Sequence, residues 1–248
     1  MTPRALRAER EGDVLHVTLA RAERRNAFDA GLISELTDAF AGVGDARAVV
    51  LAGEGPSFCA GADVEWMRAS VALSLEENVE DARSLRRLLD AIDLCPAPVV
   101  ARVQGHALGG GCGLIACCDV VVAADDAVFA FSEVKLGLVP AVISPFALAK
   151  MGPSPARRYF LTGERFDAAA ALRIGLVHEV VPADELDHCV ERIVAEILSA
   201  GPEAVRAAKR LVLDAPLDGE ETALRIAERR TSAEGQEGLS AFLERREP

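Results

Sequence analysis

Two runs rich in glycine and alanine hold the residues best suited to stabilise a developing negative charge. The first, Phe58-Cys59-Ala60-Gly61-Ala62-Asp63, follows a strand-like apolar stretch and the turn Gly53-Glu54-Gly55-Pro56. The second, Val103-Gln104-Gly105-His106-Ala107-Leu108-Gly109-Gly110-Gly111-Cys112-Gly113-Leu114, follows the apolar run 98–103 and opens a small-residue segment, 111–118, that reads as helical. A strand feeding a glycine-lined helix start aims unpaired N–H groups and the positive end of a helix dipole at one point. Glycines without Cβ atoms also let a ligand atom reach the main chain. Two such loops, each at a strand end where α/β proteins gather ligands, can give one N–H apiece to a single oxygen. Removing one donor from an oxyanion hole of that kind costs about 2.7–4 kcal/mol of transition-state stabilisation. Taken alone, the second run also reads as a turn that serves only close packing.

Together with these runs, Arg25-Asn26-Ala27-Phe28, Cys118-Asp119, Glu133, Leu136-Gly137-Leu138-Val139-Pro140, Leu161-Thr162-Gly163-Glu164, Gly175-Leu176-Val177 and Glu237-Gly238-Leu239-Ser240-Ala241-Phe242 follow one another over nearly the whole chain. In that order and spacing the chain resembles the crotonase superfamily, the enoyl-CoA hydratase/isomerase family. The resemblance implies an α/β fold, a spiral of ββα units capped by a C-terminal helical region. It divides the chain into a core, 1–195, and a helical trimerisation region, 196–248. It implies an acyl-CoA substrate, with coenzyme A entering as part of that substrate and no separate cofactor, and a homotrimer or dimer of trimers. It also implies that the N–H groups of Ala62 and Gly110 form the oxyanion hole. Arg25, Ala60, Asp63, Trp66, Gly109, Gly113, Ala141 and Phe242 are then expected to bind substrate.

The chemistry turns on carboxylates. Adding water across a double bond conjugated to a thioester needs a base for the water proton and an acid for the α-carbon. Two-carboxylate members of the family place one acid three residues after the second oxyanion glycine and another twenty residues later. Counted from Gly110, those positions are Gly113 and Glu133, so the first acid is missing. Glu133 is left as the proton-transfer residue. Walls formed by Phe131, Leu136 and Val139 are expected to raise its pKa toward the working pH. One glutamate admits two chemistries: hydration of an α,β-unsaturated acyl-CoA, or movement of the double bond in a β,γ-enoyl-CoA. The segments 62–67, 111–114 and 132–145, with Arg157-Arg158-Tyr159, are most similar to bacterial methylglutaconyl-CoA hydratases of leucine breakdown. Hydrogen in place of a side chain at Gly113 is expected to open room for a substrate that is branched or carries its own carboxylate; that carboxylate would need a cation or N–H partner, and Lys135 and Lys150 are the candidate cations. Asp63 reads as a helix N-cap before Val64-Glu65-Trp66, and Asp119 as a turn or ion-pair residue.

Length and charge narrow the class. A chain of 248 residues with 50% hydrophobic content can bury one large α/β core. A net charge of −12 argues against nucleic acid, whose phosphates need clustered Lys and Arg. Local arginines must then meet the CoA phosphates, from the pairs Arg24-Arg25, Arg157-Arg158 and Arg245-Arg246. No apolar run reaches a membrane span, residues 1–13 are charged rather than signal-like, and a cytoplasmic location is expected. The cysteines at 59, 95, 112, 117, 118 and 189 form no CxxC pair and no metal-ligand set. They read as reduced core residues, with a reactive Cys59 or Cys112 as the alternative.

The elements that must position these residues show in the periodicity. Strands are expected at 14–19, 48–52, 98–103, 120–123 and 128–131, and helices at 32–43 and 75–94, the second with Leu85, Leu88, Leu89 and Ile92 on its core stripe. From Phe146 onward the pattern is helical, broken at Gly152-Pro153, Gly201-Pro202 and 214–219. The alternation argues for βαβ units and a largely parallel core.

Overall fold

The computed structural model describes residues 5–246. Among these residues nine strands form: β1 (Leu6–Glu11), β2 (Val14–Leu19), β3 (Ala48–Gly53), β4 (Val99–Val103), β5 (His106–Leu108), β6 (Val120–Ala124), β7 (Val128–Ala130), β8 (Phe166–Asp167) and β9 (Glu179–Val181). The helices are α1 (Ala30–Ala41), α2 (Val64–Ser70), α3 (Leu75–Asp93), α4 (Gly110–Ala116), α5 (Ser144–Met151), α6 (Pro153–Thr162), α7 (Ala168–Arg173), α8 (Leu186–Ser199), α9 (Pro202–Leu213), α10 (Gly219–Thr231) and α11 (Ala233–Glu244). One sheet runs β1-β2-β3-β4-β6-β9 and a smaller one β5-β7-β8. Apart from the β1–β2 hairpin, the large sheet is parallel.

Both faces of the large sheet are covered, which is why its strands read as near-continuous apolar runs. Side chains alternate with period two. Val49, Leu51, Val99, Ala101 and Val121 enter the main core, while Ala48, Val50, Val100 and Val122 meet Leu186, Cys189, Val190 and Val194 of α8 on the other face. The expected boundary at 195/196 therefore falls inside a helix packed on the sheet, and the helical region proper opens at Pro202.

The spiral appears in the pairing. After β2, β3, β4 and β6 the chain steps to a second layer and then into a helix. Phe28 bridges Ala62, Cys59 bridges Ala107, and Ala107 pairs with Phe129. The second layer is thus assembled from the segments after β2, β3, β4 and β6, all parallel, and closed by antiparallel β8. Such single bridges carry no period-two signature. At three and two residues, β5 and β8 are too short to show a period, and the charged edge strand β1 and the half-buried β9 escape it as well.

Candidate active site

The two glycine-rich loops lie side by side because of that pairing. Cys59 N–H donates to the His106 carbonyl (3.0 Å) and Leu108 N–H to the Cys59 carbonyl (3.0 Å). With Cys59 opposite Ala107, Ala62 and Gly110 each stand three residues beyond the bridge, where the two chains run on together. Phe28 N–H donates to Gly61 O, and Asp63 N–H donates to Phe28 O, both at 2.9 Å. Residues 61 and 63 therefore face Phe28, and the Ala62 N–H points the opposite way. Gly110 opens α4, so its N–H has no carbonyl a turn behind it. Among the described residues, no acceptor takes either N–H.

Bulk is excluded here by the neighbouring main chain at Gly61 and by the Phe28 ring at Gly110. Gly61 has φ +90°, and a Cβ on it would lie 2.7 Å from the Leu108 carbonyl oxygen and 3.6 Å from the Gly110 nitrogen. A Cβ on Gly110 would collide with the Phe28 ring at 2.2 Å. The first loop is braced by Asn26, fully buried, whose Nδ2 donates to the carbonyls of Glu54 and Ser57 (2.8 Å each) while its Oδ1 accepts from Arg21 N–H (2.9 Å). Asp63 caps α2 as expected, accepting from Glu65 N–H at 2.8 Å, and also pairs with Arg21 and Arg24 at 3.1 Å. Burial by itself would push the Asp63 carboxyl up, but the Glu65 N–H and the Arg24 guanidinium outweigh it and hold the carboxyl low.

Ala62 and Gly110 line a cavity of about 300 Å³ with Ala60, Gly61, Trp66, Met67, Ser70, Asn78, Asp81, Ala82, Leu85, Gly109, Ser132, Glu133, Leu136, Leu138 and Val142. Glu133 begins a short 3-10 turn after β7. Its carboxylate reaches back over the second loop, with Oε1 3.2 Å from where a Cβ on Gly109 would stand. Its Oε2 is buried without a hydrogen-bond partner. Burial raises its pKa, only partly opposed by a backbone N–H. A carboxylate with a buried, unpartnered Oε2 that shares a cavity with Ala62 and Gly110, whose N–H groups are unclaimed among the described residues, is equipped to move a proton beside a bound oxyanion.

Of the expected site residues, Glu133, Ala62, Gly110, Ala60, Trp66 and Gly109 meet at this cavity. The others do not line it. Asp63 spends its carboxylate on the α2 cap and the two arginines. Gly113 is buried in α4, and the space its hydrogen was expected to open is filled by Ile143, whose Cγ2 lies 2.4 Å from where a Gly113 Cβ would stand. Ala141 is exposed, with its N–H donating to Val139 O at 2.8 Å. Phe242 projects from α11, 79% exposed. Arg25 is exposed beside the first loop, and its carbonyl accepts from Ala60 N–H at 2.9 Å. Of the expected Glu133 walls only Leu136 lines the cavity; Phe131 is stacked in the core against Phe166, and Val139 is exposed. Leu85 faces the cavity as well as the core.

Sequence reasoning missed Asn78, Asp81 and Ala82, which with Leu85 form one face of α3 at spacings of three and four. Their position on the stripe adjoining the apolar one was the available signal. The six cysteines are free and buried, and burial pushes the Cys59 thiol up to about 12, against the reactive alternative. Among the described residues, no helix is long and apolar enough to cross a membrane.

The chain is similar to known proteins over its whole length. The family model for enoyl-CoA hydratase/isomerase matches residues 9–248. Crotonyl-CoA hydratase of Syntrophomonas wolfei is 34% identical over 250 residues, covering 96% of this chain and 94% of that protein. The crystal structure of an enoyl-CoA hydratase from Shewanella pealeana superposes with a TM-score of 0.94 at 40% identity, covering 100% of this chain and 96% of that one. That of an enoyl-CoA hydratase from Mycobacterium smegmatis gives 0.94 at 34% identity, with 99% and 98% covered. The chain belongs to the enoyl-CoA hydratase/isomerase family, a family of enzymes, and has the crotonase fold.

Proposed function

We propose that the protein hydrates an α,β-unsaturated acyl-CoA, with the thioester oxygen held by the N–H groups of Ala62 and Gly110 and the proton moved by Glu133. The observation that carries this reading is the buried, unpartnered Oε2 of Glu133 in one cavity with Ala62 and Gly110. Glu133 takes a proton from water as the water oxygen bonds to the β-carbon. The double-bond electrons pass toward the thioester oxygen as an enolate. The enolate then collapses as the α-carbon takes the proton back from Glu133, so one carboxylate completes the addition of one water. The chemistry calls for no cofactor beyond the coenzyme A of the substrate.

The acyl group in this reading is neutral. Neither lysine considered for a substrate carboxylate lines the cavity: Lys135 is exposed, and Lys150 Nζ lies 3.5 Å from the Asp119 carbonyl. The carboxylate of a 3-methylglutaconyl ester therefore finds no cation among the described lining residues. Arg25 is the cation we assign to the CoA phosphates, since Arg24 is held by Asp63 and Glu65. We extend the proposal to a cytoplasmic trimer or dimer of trimers. Free buried cysteines support the compartment. Exposed Leu224, Ile226, Leu239, Phe242 and Leu243 on α10 and α11 support self-association.

One observation favours a second reading, double-bond isomerisation. Gly113 offers no second acid, and an isomerase needs only a carboxylate that removes a proton from one carbon and returns it to another. Crotonyl-CoA and a β,γ-enoyl-CoA separate the two. Hydration removes the conjugated absorbance of the first, and isomerisation creates it from the second. Loss of crotonyl-CoA absorbance that disappears in Glu133→Gln supports hydration, and activity only on the β,γ ester overturns it.

A further inference from the structure

The cavity is closed on one side by hydrogen-bond acceptors. Asp81 is half-buried in its wall and forms no hydrogen bond or ion pair among the described residues. One turn before it on α3, Asn78 donates its Nδ2 to the carbonyls of Leu73 (3.2 Å) and Ser74 (2.9 Å), which leaves Oδ1 as the uncommitted atom. Ser70 donates its hydroxyl to the Met67 carbonyl at 2.8 Å, leaving its lone pairs. All three therefore present acceptors. Among the described residues, no Lys, Arg or His lines this cavity.

The acceptor wall is offset along α3 from the contact of that helix with α4. Leu89 of α3 touches α4, its Cδ2 3.8 Å from where a Gly113 Cβ would stand. Asp81 lies eight residues toward the N-terminus of α3, roughly 12 Å along the helix axis. Beyond it, Asp81 and Trp66 also line a neighbouring cavity of about 180 Å³, so the two residues form the partition between the spaces. Arg87 lines that far space, paired there with Glu80 at 2.9 Å.

We propose that the acyl group bound here is neutral and carries a hydroxyl that donates to Asp81, and that acyl groups ending in a carboxylate are turned away. The inference rests on the enoyl-CoA reading above. A hydroxyl can donate to this carboxylate, which has no partner among the described residues, whereas a substrate carboxylate would sit beside Asp81 with no cation among the described lining residues.

The test measures kcat/KM for three 2-enoyl-CoA esters of equal chain length whose distal carbon bears a hydrogen, a hydroxyl or a carboxylate. The wild-type enzyme is expected to prefer the hydroxylated ester and to take the carboxylated one least. Asp81→Ala and Asp81→Asn should each lower the ratio of hydroxylated to unsubstituted turnover, the alanine by about tenfold. Asp81→Lys should raise the ratio of carboxylated to unsubstituted turnover by a similar factor. Each ratio is internal to one preparation, so partial folding of a variant does not move it. Ratios unchanged by all three substitutions, or a wild type that takes the carboxylated ester as readily as the hydroxylated one, would overturn the inference while leaving hydration in place. A wild type silent on every ester overturns both.

Discussion

Ile143 occupies the space that a side chain at Gly113 would need. Its Cγ2 would lie 2.4 Å and its Cβ 3.0 Å from a Gly113 Cβ. Both residues are buried. Alanine in a helix interior is favoured over glycine by about 1 kcal/mol, so Gly113→Ala would stabilise an unobstructed α4. Here the clash reverses the sign, and overpacking costs about 1–3 kcal/mol. We expect Gly113→Ala to lower the urea midpoint in the wild-type background and to raise it in an Ile143→Ala background. The same sign in both backgrounds would show that Ile143 does not set the limit.

Glu133 links activity to stability in opposite directions. Its carboxyl is raised by burial, so its ionisation destabilises the folded chain. The folded state is favoured by this group below the ordinary glutamate value of about 4.3, and that advantage is lost as pH rises through the raised value. Glu133→Gln should therefore melt higher than wild type at pH 7–8, with the difference vanishing on acidification. The same variant should keep less than a tenth of wild-type turnover. A melting temperature unchanged at pH 8 would mean the carboxyl is hydrated rather than buried.

Much of this was legible in the residues because local chemistry and packing agree there. Residues 14–19 alternate, 75–93 carry an apolar stripe behind a Ser74–Glu77 capping box, and the two glycine runs need main chain to pass within contact of main chain. The register that brings Ala62 beside Gly110 was not legible, because it rests on single bridges between segments some fifty residues apart. Gly113 misled for a related reason. A missing side chain reads as space, and whether space exists depends on Ile143, thirty residues away. Asp81 was hidden because a half-buried aspartate on an amphipathic helix looks like its solvated neighbours.

The thiols offer a direct check on how tightly the loops close. Cys59 and Cys112 donate to the carbonyls of Asn26 (3.2 Å) and Ala107 (2.9 Å) inside the two site loops. Burial pushes Cys59 up to about 12 and Cys112 higher still, so almost no thiolate exists at pH 8. Native protein should resist iodoacetamide at these positions, and label only after unfolding. Rapid native labelling of Cys59, located by peptide mass, would show that the first loop opens.

Asp63 should couple the first loop to acid stability. Its carboxylate caps α2 and meets Arg21 and Arg24, and α2 carries Trp66 and Met67 into the cavity. A lowered pKa means its contribution is complete above the ordinary aspartate value of about 3.9 and is lost as pH falls through the lowered value. Replacing it by alanine removes a cap and leaves Arg21 half-paired, a loss of about 2 kcal/mol or more at pH 7. Urea unfolding at pH 7 should separate Asp63→Ala clearly from wild type, and at pH 3 the two curves should draw together. Because the chain turns into α2 directly after Ala62, turnover should fall with the stability at pH 7. Full activity in a destabilised Asp63→Ala would show that the Ala62 N–H is positioned without the cap.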